Sequence, residues 1–237
     1  MHRIVVDEKM NRMNQWQTIE FDGYAYRVDI LLRIMQILQW MTTNNPRLLF
    51  VRTEVKFPQG YFHDGYNREL SALLHHLTEH YKYHQISFAY LWVREQSGSE
   101  VPHYHLIFLL DGNKTRDGRG VQIEAAKAWR SIVGMTGYDC VRLDWSEIEE
   151  SGVRIRRPAG CSEGEKLANE REAFNTALLA ALKWASYLAK TRTKGVALKG
   201  IREFGSSRIP KDAGPLSFPS FFPTSFQPYT PPDQWGN

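Results

Sequence analysis

The feature that most constrains this chain is a pair of apolar runs joined by a short polar link. The first is Ile86 to Val93, and the second follows two histidines in His103-Tyr104-His105-Leu-Ile-Phe-Leu-Leu110. Between them, Gln96-Ser-Gly-Ser-Glu100 has the Gly and Ser residues that tolerate a tight turn. This pattern predicts a β-hairpin. Side chains alternate along a strand, so His103 and His105 share one face and Tyr104 takes the other. The two imidazoles are then about 7 Å apart along the strand, near enough to reach one metal ion. If Ser97 pairs with Val101, Glu95 lies directly across from His103 on the same face. A slip of one residue would put Arg94 or Gln96 there instead. Two histidines and a carboxylate on a sheet form a half-shell suited to a divalent cation.

Around this hairpin the apolar spacing alternates between helix and strand. Residues 1–25 are mixed and polar, with a short strand expected within Gln17 to Tyr26. Val28 to Met41 has a helical stripe (Ile30, Leu31, Ile34, Ile37, Leu38, Met41) that stops at Thr42-Thr-Asn-Asn-Pro46. Arg47 to Pro58 reads as a strand, and Tyr66 to Tyr81 as a helix burying Leu70, Leu73, Leu74 and Leu77. After the hairpin and the polar loop 111–118 come a helix at Val121 to Val133 and short strands at Tyr138 to Trp145 and Gly152 to Arg156. The order β-α-β-β-α-β predicts an α+β fold, a ferredoxin-like antiparallel sheet with helices on one face. Its central strands would be Arg47–Phe57 and Val101–Leu110.

The organisation expected is an extension with one amphipathic helix (1–44), a central domain (45–213) and a tail (214–237). The tail has four phenylalanines, many prolines and no Lys or Arg, and is expected to be extended or disordered. Two cysteines, Cys140 and Cys161, make neither a disulfide framework nor a Cys-rich zinc site. The N-terminus has no apolar leader and no window suits a membrane span, so a cytoplasmic protein with no membrane partner is expected. A formal charge of +4 is too small to identify a polyanion partner, so the distribution of charge matters more.

That distribution is uneven. Between Lys183 and Lys211 there are eight basic residues and a single acid, Glu203. The longest helical run, Glu165 to about Thr191, leads into this stretch with Phe174, Leu178, Leu182, Ala185 and Leu188 on its apolar side. On such a helix Lys183, Tyr187, Lys190 and Lys194 fall in one sector. A tyrosine among lysines sits in a positive field that favours phenolate and attracts phosphate.

The ordered set resembles the HUH endonucleases, the nucleases that start rolling-circle replication. Their histidine–hydrophobic–histidine motif is matched by His103-Tyr104-His105, and their Tyr-x-x-Lys motif by Tyr187-Leu188-Ala189-Lys190. Glu95 matches the acid that often precedes the histidines as third ligand, with Gln96 left open as the alternative. The string Trp92-Val-Arg-Glu95-Gln96…Pro102-His-Tyr-His105 looks most like the replication initiators of filamentous phages (inoviruses) and their prophage relatives. The tyrosine follows the histidines, as in replication enzymes and unlike relaxases, and no second tyrosine lies one turn from it. No P-loop string is present, so no fused helicase is expected.

The resemblance implies a metal-dependent endonuclease acting on single-stranded or hairpin origin DNA with host helicase and polymerase. His103, His105 and Glu95 would hold Mn²⁺ or Mg²⁺, Tyr187 would be the nucleophile, and Lys190 would sit beside the phosphate or phenolate. Lys183, Arg192, Lys194, Arg52, Lys56 and Arg94 are expected to contact DNA. Arg154-Ile-Arg-Arg157 is a weaker candidate for phosphate contact; Glu54 would adjoin the site if its strand is central, but a surface charge is the favoured reading. His75, His76, His80 and His84 read as residues at the edge of the core, with no carboxylate fixed opposite them. Two other readings remain. A two-histidine, one-carboxylate iron oxygenase would usually need a jelly-roll barrel, which the interleaved helices disfavour. A DNA-binding prophage protein with a decayed site would have the same basic stretch and no metal dependence.

Overall fold

The computed structural model describes residues 18–21, 24–96, 101–134, 141–142, 152–191, 200–211 and 213–214. Three long strands dominate it: β3 (Arg47–Lys56), β4 (Phe88–Glu95) and β5 (His103–Asp111). All are antiparallel neighbours, with β5 in the middle. The outer edge of β3 pairs with β6 (Val141–Arg142) and, further along, with β7 (Val153–Arg156). The outer edge of β4 pairs with β8 (Phe204–Ser206), giving the order β6-β3-β5-β4-β8 with β7 also on β3. A separate hairpin joins β1 (Thr18–Phe21) to β2 (Tyr24–Arg27). The fold is therefore α+β, an antiparallel sheet packed with four helices.

Those helices cover both faces of the sheet. α2 (Arg68–Tyr83) and α3 (Gly118–Val133) lie on one face, where Leu73, Leu77 and Trp129 pack on Val51, Tyr104, Leu106 and Phe108. α1 (Val28–Asn44) and α4 (Gly164–Ser186) lie on the other, where Ile30, Ile34, Leu178 and Ala185 pack on Phe50, Leu91, Ile107 and Leu109. The expectation of helices on one face was too simple. Leu48-Leu-Phe-Val51 and Leu106-Ile-Phe-Leu-Leu110 are apolar at successive positions, so both faces of these strands must be removed from water.

The helix boundaries have local causes. α1 stops because Asn45, which precedes Pro46, is held extended. At α3, the Asp117 carboxylate accepts from the amides of Arg119 and Gly120, and Gly134 ends the helix in the left-handed region (φ 72°). α4 ends earlier than its apolar spacing suggests. Tyr187–Ala189 tighten into a 3₁₀ turn, and Lys190 leaves it extended to bridge Tyr26 of β2.

β8 was not expected from the sequence. Three residues with a central glycine carry no strand signal, yet the close approach requires that glycine. A Cβ on Gly205 would meet the Trp92 indole nitrogen at 2.8 Å. The single acid of the basic stretch has a structural use, since Glu203 accepts from Arg27 Nη1 at 2.6 Å and its carbonyl accepts the Arg94 amide. The turn 97–100, most of Tyr138 to Trp145, and residues 215–237 of the tail lie outside the described residues.

Candidate active site

One face of the sheet changes character along its length. On β3 it reads Leu48, Phe50, Arg52, Glu54, Lys56; on β5 Leu109, Ile107, His105, His103; on β4 Ala89, Leu91, Val93, Glu95. α1 and α4 seal the apolar half. The polar half brings two carboxylates to the two imidazoles. Register sets this arrangement: Glu95 and Lys56 flank His103, and Val93 and Glu54 flank His105. The expected pairing of Glu95 with His103 is present.

Glu95 Oε2 lies 3.2 Å from His105 Nε2 and 3.5 Å from His103 Nε2. On the other side, Glu54 Oε1 is 3.8 Å from His103 Nε2, and Oε2 is 4.0 Å from His105 Nδ1. One oxygen of Glu54 and one nitrogen of each histidine fall within 4.8 Å of one another, a spacing that suits a shared metal ion. Glu95 is 2 % exposed and Glu54 6 %, so the strands hold two acids out of water. Buried carboxylates need cationic partners. His105 Nδ1 is buried with no hydrogen-bond partner, which also fits a set of ligands for a cation. The donors, two imidazoles and carboxylate oxygens, could hold a divalent metal ion.

Burial alone would raise the Glu54 pKa. The Lys56 ammonium, bonded at 2.9 Å, and the neighbouring imidazoles of His105 and His103 outweigh it and hold the carboxyl below its usual range. Glu54, for which a surface charge is the favoured expectation because Arg52-Thr-Glu-Val-Lys56 alternates like a solvated strand, is buried beside the histidines. Only the pairing of β3 with β5 reveals that this face is closed.

The phenol lies beside this clamp. The ring centroids of Tyr187 and His105 are 5.9 Å apart, with the planes nearly perpendicular. The Arg52 guanidinium lies 4.5 Å from the Tyr187 ring centre and Lys190 Nζ lies 5.0 Å from it. Tyr187 is 38 % exposed. Its position is set by its neighbours: Leu188 and Ala189 are buried, Lys190 bridges Tyr26, and the Thr191 amide donates to the Ala25 carbonyl at 3.0 Å.

The remaining candidates separate into groups. Lys183 is exposed at the end of α4, one turn before Tyr187, and Lys56 is half-exposed while holding Glu54. Arg192 and Lys194 lie outside the described residues. The shared helical sector does not extend to Lys190, because the α-helix ends at Ser186; the lysine reaches the ring from an extended residue instead. Arg94, expected on DNA, is instead buried on the opposite face, where Nη1 donates to the Gly65 carbonyl and Asn67 Oδ1 and Nη2 donates to Gln96 Oε1. Strand alternation puts Arg94 and Gln96 away from the histidines, leaving Glu95 as the acid of that segment. Arg154 and Arg157 donate to the carbonyls of Arg116 and Thr43. His76 does have an acid opposite it, contrary to expectation, with Glu124 Oε1 of α3 at 3.6 Å.

Comparison with known proteins adds a family. The model of the YagK/YfjJ C-terminal domain family matches residues 9–207, which is most of the chain, and the protein belongs to that family. Neither a curated protein nor a solved structure matches it significantly.

Proposed function

We propose that this member of the YagK/YfjJ C-terminal domain family is a metal-dependent, single-tyrosine endonuclease of the HUH type. On this reading it nicks and rejoins single-stranded DNA at a replication origin. The observation that carries it is the meeting of two distant pieces of chain. The Glu95/His103/His105 cluster and Tyr187 are far apart in sequence, yet the phenol ring packs 5.9 Å from His105. The order β3-α2-β4-β5-α3-β7, with β5 between β3 and β4, supports a ferredoxin-like core of the kind such nucleases have. Among the described residues no helix is long and apolar enough to cross a membrane.

His103, His105 and Glu95, with Glu54 on the far side, would hold Mn²⁺ or Mg²⁺. When bound, such an ion would polarise a phosphate oxygen and steady the charge that builds up in displacement. Tyr187 Oη attacks phosphorus in line, forming an O–P bond as the bond to the upstream 3′-oxygen breaks. The phenol proton leaves to solvent and the 3′-oxygen gains one. The products are a 5′-phosphotyrosine and a free 3′-hydroxyl. Arg52 and Lys190 flank the ring and place positive charge where the phosphate arrives. The covalent link keeps the phosphodiester energy, so a 3′-hydroxyl can later reverse the step. The free 3′-end would prime a host polymerase, with strand separation by a host helicase.

The experiment uses a random-sequence single-stranded DNA pool, Mn²⁺ and a denaturing gel. Wild type should give a covalent protein–DNA adduct whose sequencing reveals the preferred site. Tyr187→Phe should abolish the adduct while DNA binding stays nearly intact, and His105→Ala should abolish cleavage. An adduct that survives Tyr187→Phe would remove Tyr187 from the mechanism. Single-strand binding with no metal-dependent adduct at all would favour the decayed, non-catalytic alternative.

A further inference from the structure

The loop between β3 and α2 (residues 57–67) starts where the polar half of the sheet ends, because Lys56 is the Cα partner of His103. It carries two of the most exposed large rings among the described residues, Phe62 at 88 % and Tyr66 at 53 %. An exposed ring is ordinary by itself. The framework that holds this loop is not. The His63 ring is buried and its Nδ1 accepts the Gly65 amide at 3.0 Å; Asp64 Oδ1 accepts the Tyr66 amide at 3.0 Å. Phe57 packs against both Tyr61 and His63, with ring centroids 4.7 and 4.6 Å away. The buried Arg94 donates to the Gly65 carbonyl at 2.7 Å and to Asn67 Oδ1 at 3.0 Å, and the Tyr104 hydroxyl donates to the same Asn67 oxygen at 3.0 Å.

Arg94 adjoins Glu95, and Tyr104 stands between the two histidines. The strand ends that present the clamp on one face therefore grip this loop from the other, so the loop has a fixed place relative to the clamp. Phe62 is six residues beyond Lys56, which keeps it within about 20 Å of the His103 row. A buried arginine is costly to desolvate, and here it orders a loop whose most apolar side chain contributes nothing to the core.

We infer that this loop is a stacking platform for unpaired bases of single-stranded DNA adjoining the scissile phosphate, with Phe62 and Tyr66 supplying the rings. The inference rests on the proposed nuclease reading and extends its substrate contacts beyond the clamp. A flat aromatic ring accepts any base, so the platform would grip DNA without choosing its sequence. Half-exposed Lys56, paired with Glu54, stands where the loop begins, and exposed Arg68, paired with Asp64 at 3.2 Å, has its guanidinium 5.3 Å from the Tyr66 ring centre; a phosphate would compete with these carboxylates for both cations. A strand leaving the clamp would pass round the strand ends, from the clamp face to the loop, to reach these rings.

The test measures anisotropy of a labelled oligothymidylate in chelator, where no cleavage occurs, for wild type, Phe62→Ala, Tyr66→Ala and Phe62→Trp. Each alanine variant should weaken binding by between about fivefold and a hundredfold, and Phe62→Trp should retain it. The salt dependence should be unchanged, because a ring carries no charge. The binding of wild type to a sugar–phosphate strand lacking bases should already be as weak as that of the variants to oligothymidylate. Unfolding curves for Phe62→Ala should overlay wild type, since the ring is outside the core. Wild type that binds and forms its adduct, with alanine variants that bind equally well, would overturn the platform and leave the nuclease reading standing. Wild type with neither single-strand binding nor adduct would overturn both.

Discussion

Two halves of one sheet face, built from the same three strands, have opposite physical character. In the apolar half, Phe50, Leu91, Ile107 and Leu109 are sealed under α1 and α4, and each side chain gains stability from burial. In the polar half, Glu54, Glu95 and His105 are nearly as buried, yet they place two acids and an unsatisfied ring nitrogen against one another. Tyr187 stands at the border, just past the last turn of α4. Burial contributes stability in one half and cost in the other. Such a cost inside a well-packed domain suits a cluster that could hold a metal ion.

The largest effect separates the halves most sharply. Phe50→Ala should destabilise the fold by about 3–5 kcal/mol, because a fully buried ring leaves a cavity. His105→Ala should cost less than Phe50→Ala in metal-free protein while abolishing metal binding. Denaturant unfolding of both variants checks this, and equal losses would erase the distinction.

Metal linkage comes next. Mn²⁺ at a hundred times its Kd should stabilise wild type by about 2.7 kcal/mol. Glu95→Gln should lose most of that gain, yet be as stable as wild type or more so without metal, because a buried charge has gone. Thermal unfolding with and without Mn²⁺ distinguishes the two. If Glu95→Gln keeps the full gain, Glu54 is the carboxylate that matters.

A smaller effect concerns pH. The folded-state pKa of Glu54 is depressed, so its ion pair with Lys56 contributes fully above the ordinary carboxylate range. The contribution is lost as pH falls through the depressed folded value. In metal-free protein, the stability difference between wild type and Glu54→Gln should therefore shift against wild type on acidification. A difference that stays constant across that window would mean the carboxylate gains nothing from its neighbours.

How far the sequence revealed this contrast depends on the range of each signal. Glu95 opposite His103 was legible because a short link leaves few registers, and the apolar halves of β3 and β5 were legible from unbroken hydrophobic runs. Glu54 was legible only in part: a central β3 puts it next to the site, but its alternating surroundings favour a surface charge, and its burial depends on pairing with a strand more than forty residues away. Arg94 was misassigned for a similar reason, since its partners lie in the loop at Gly65 and Asn67. The early end of α4 was hidden because Leu188 and Ala189 continue a helical pattern that the bridge to Tyr26 interrupts.

The smallest prediction tests how far the polar half extends. Lys183 is exposed and precedes Tyr187 by one turn, so it can meet a phosphate without supporting the fold. Lys183→Ala should leave stability within about 0.5 kcal/mol of wild type. If it meets one phosphate, the slope of log affinity against log salt should fall by about 0.7 for a single strand. Anisotropy at several salt concentrations measures that slope. An unchanged slope would make Lys183 a solvated charge, and the cationic surface would then begin at Arg52 and Lys190, the two residues that lie over the Tyr187 ring.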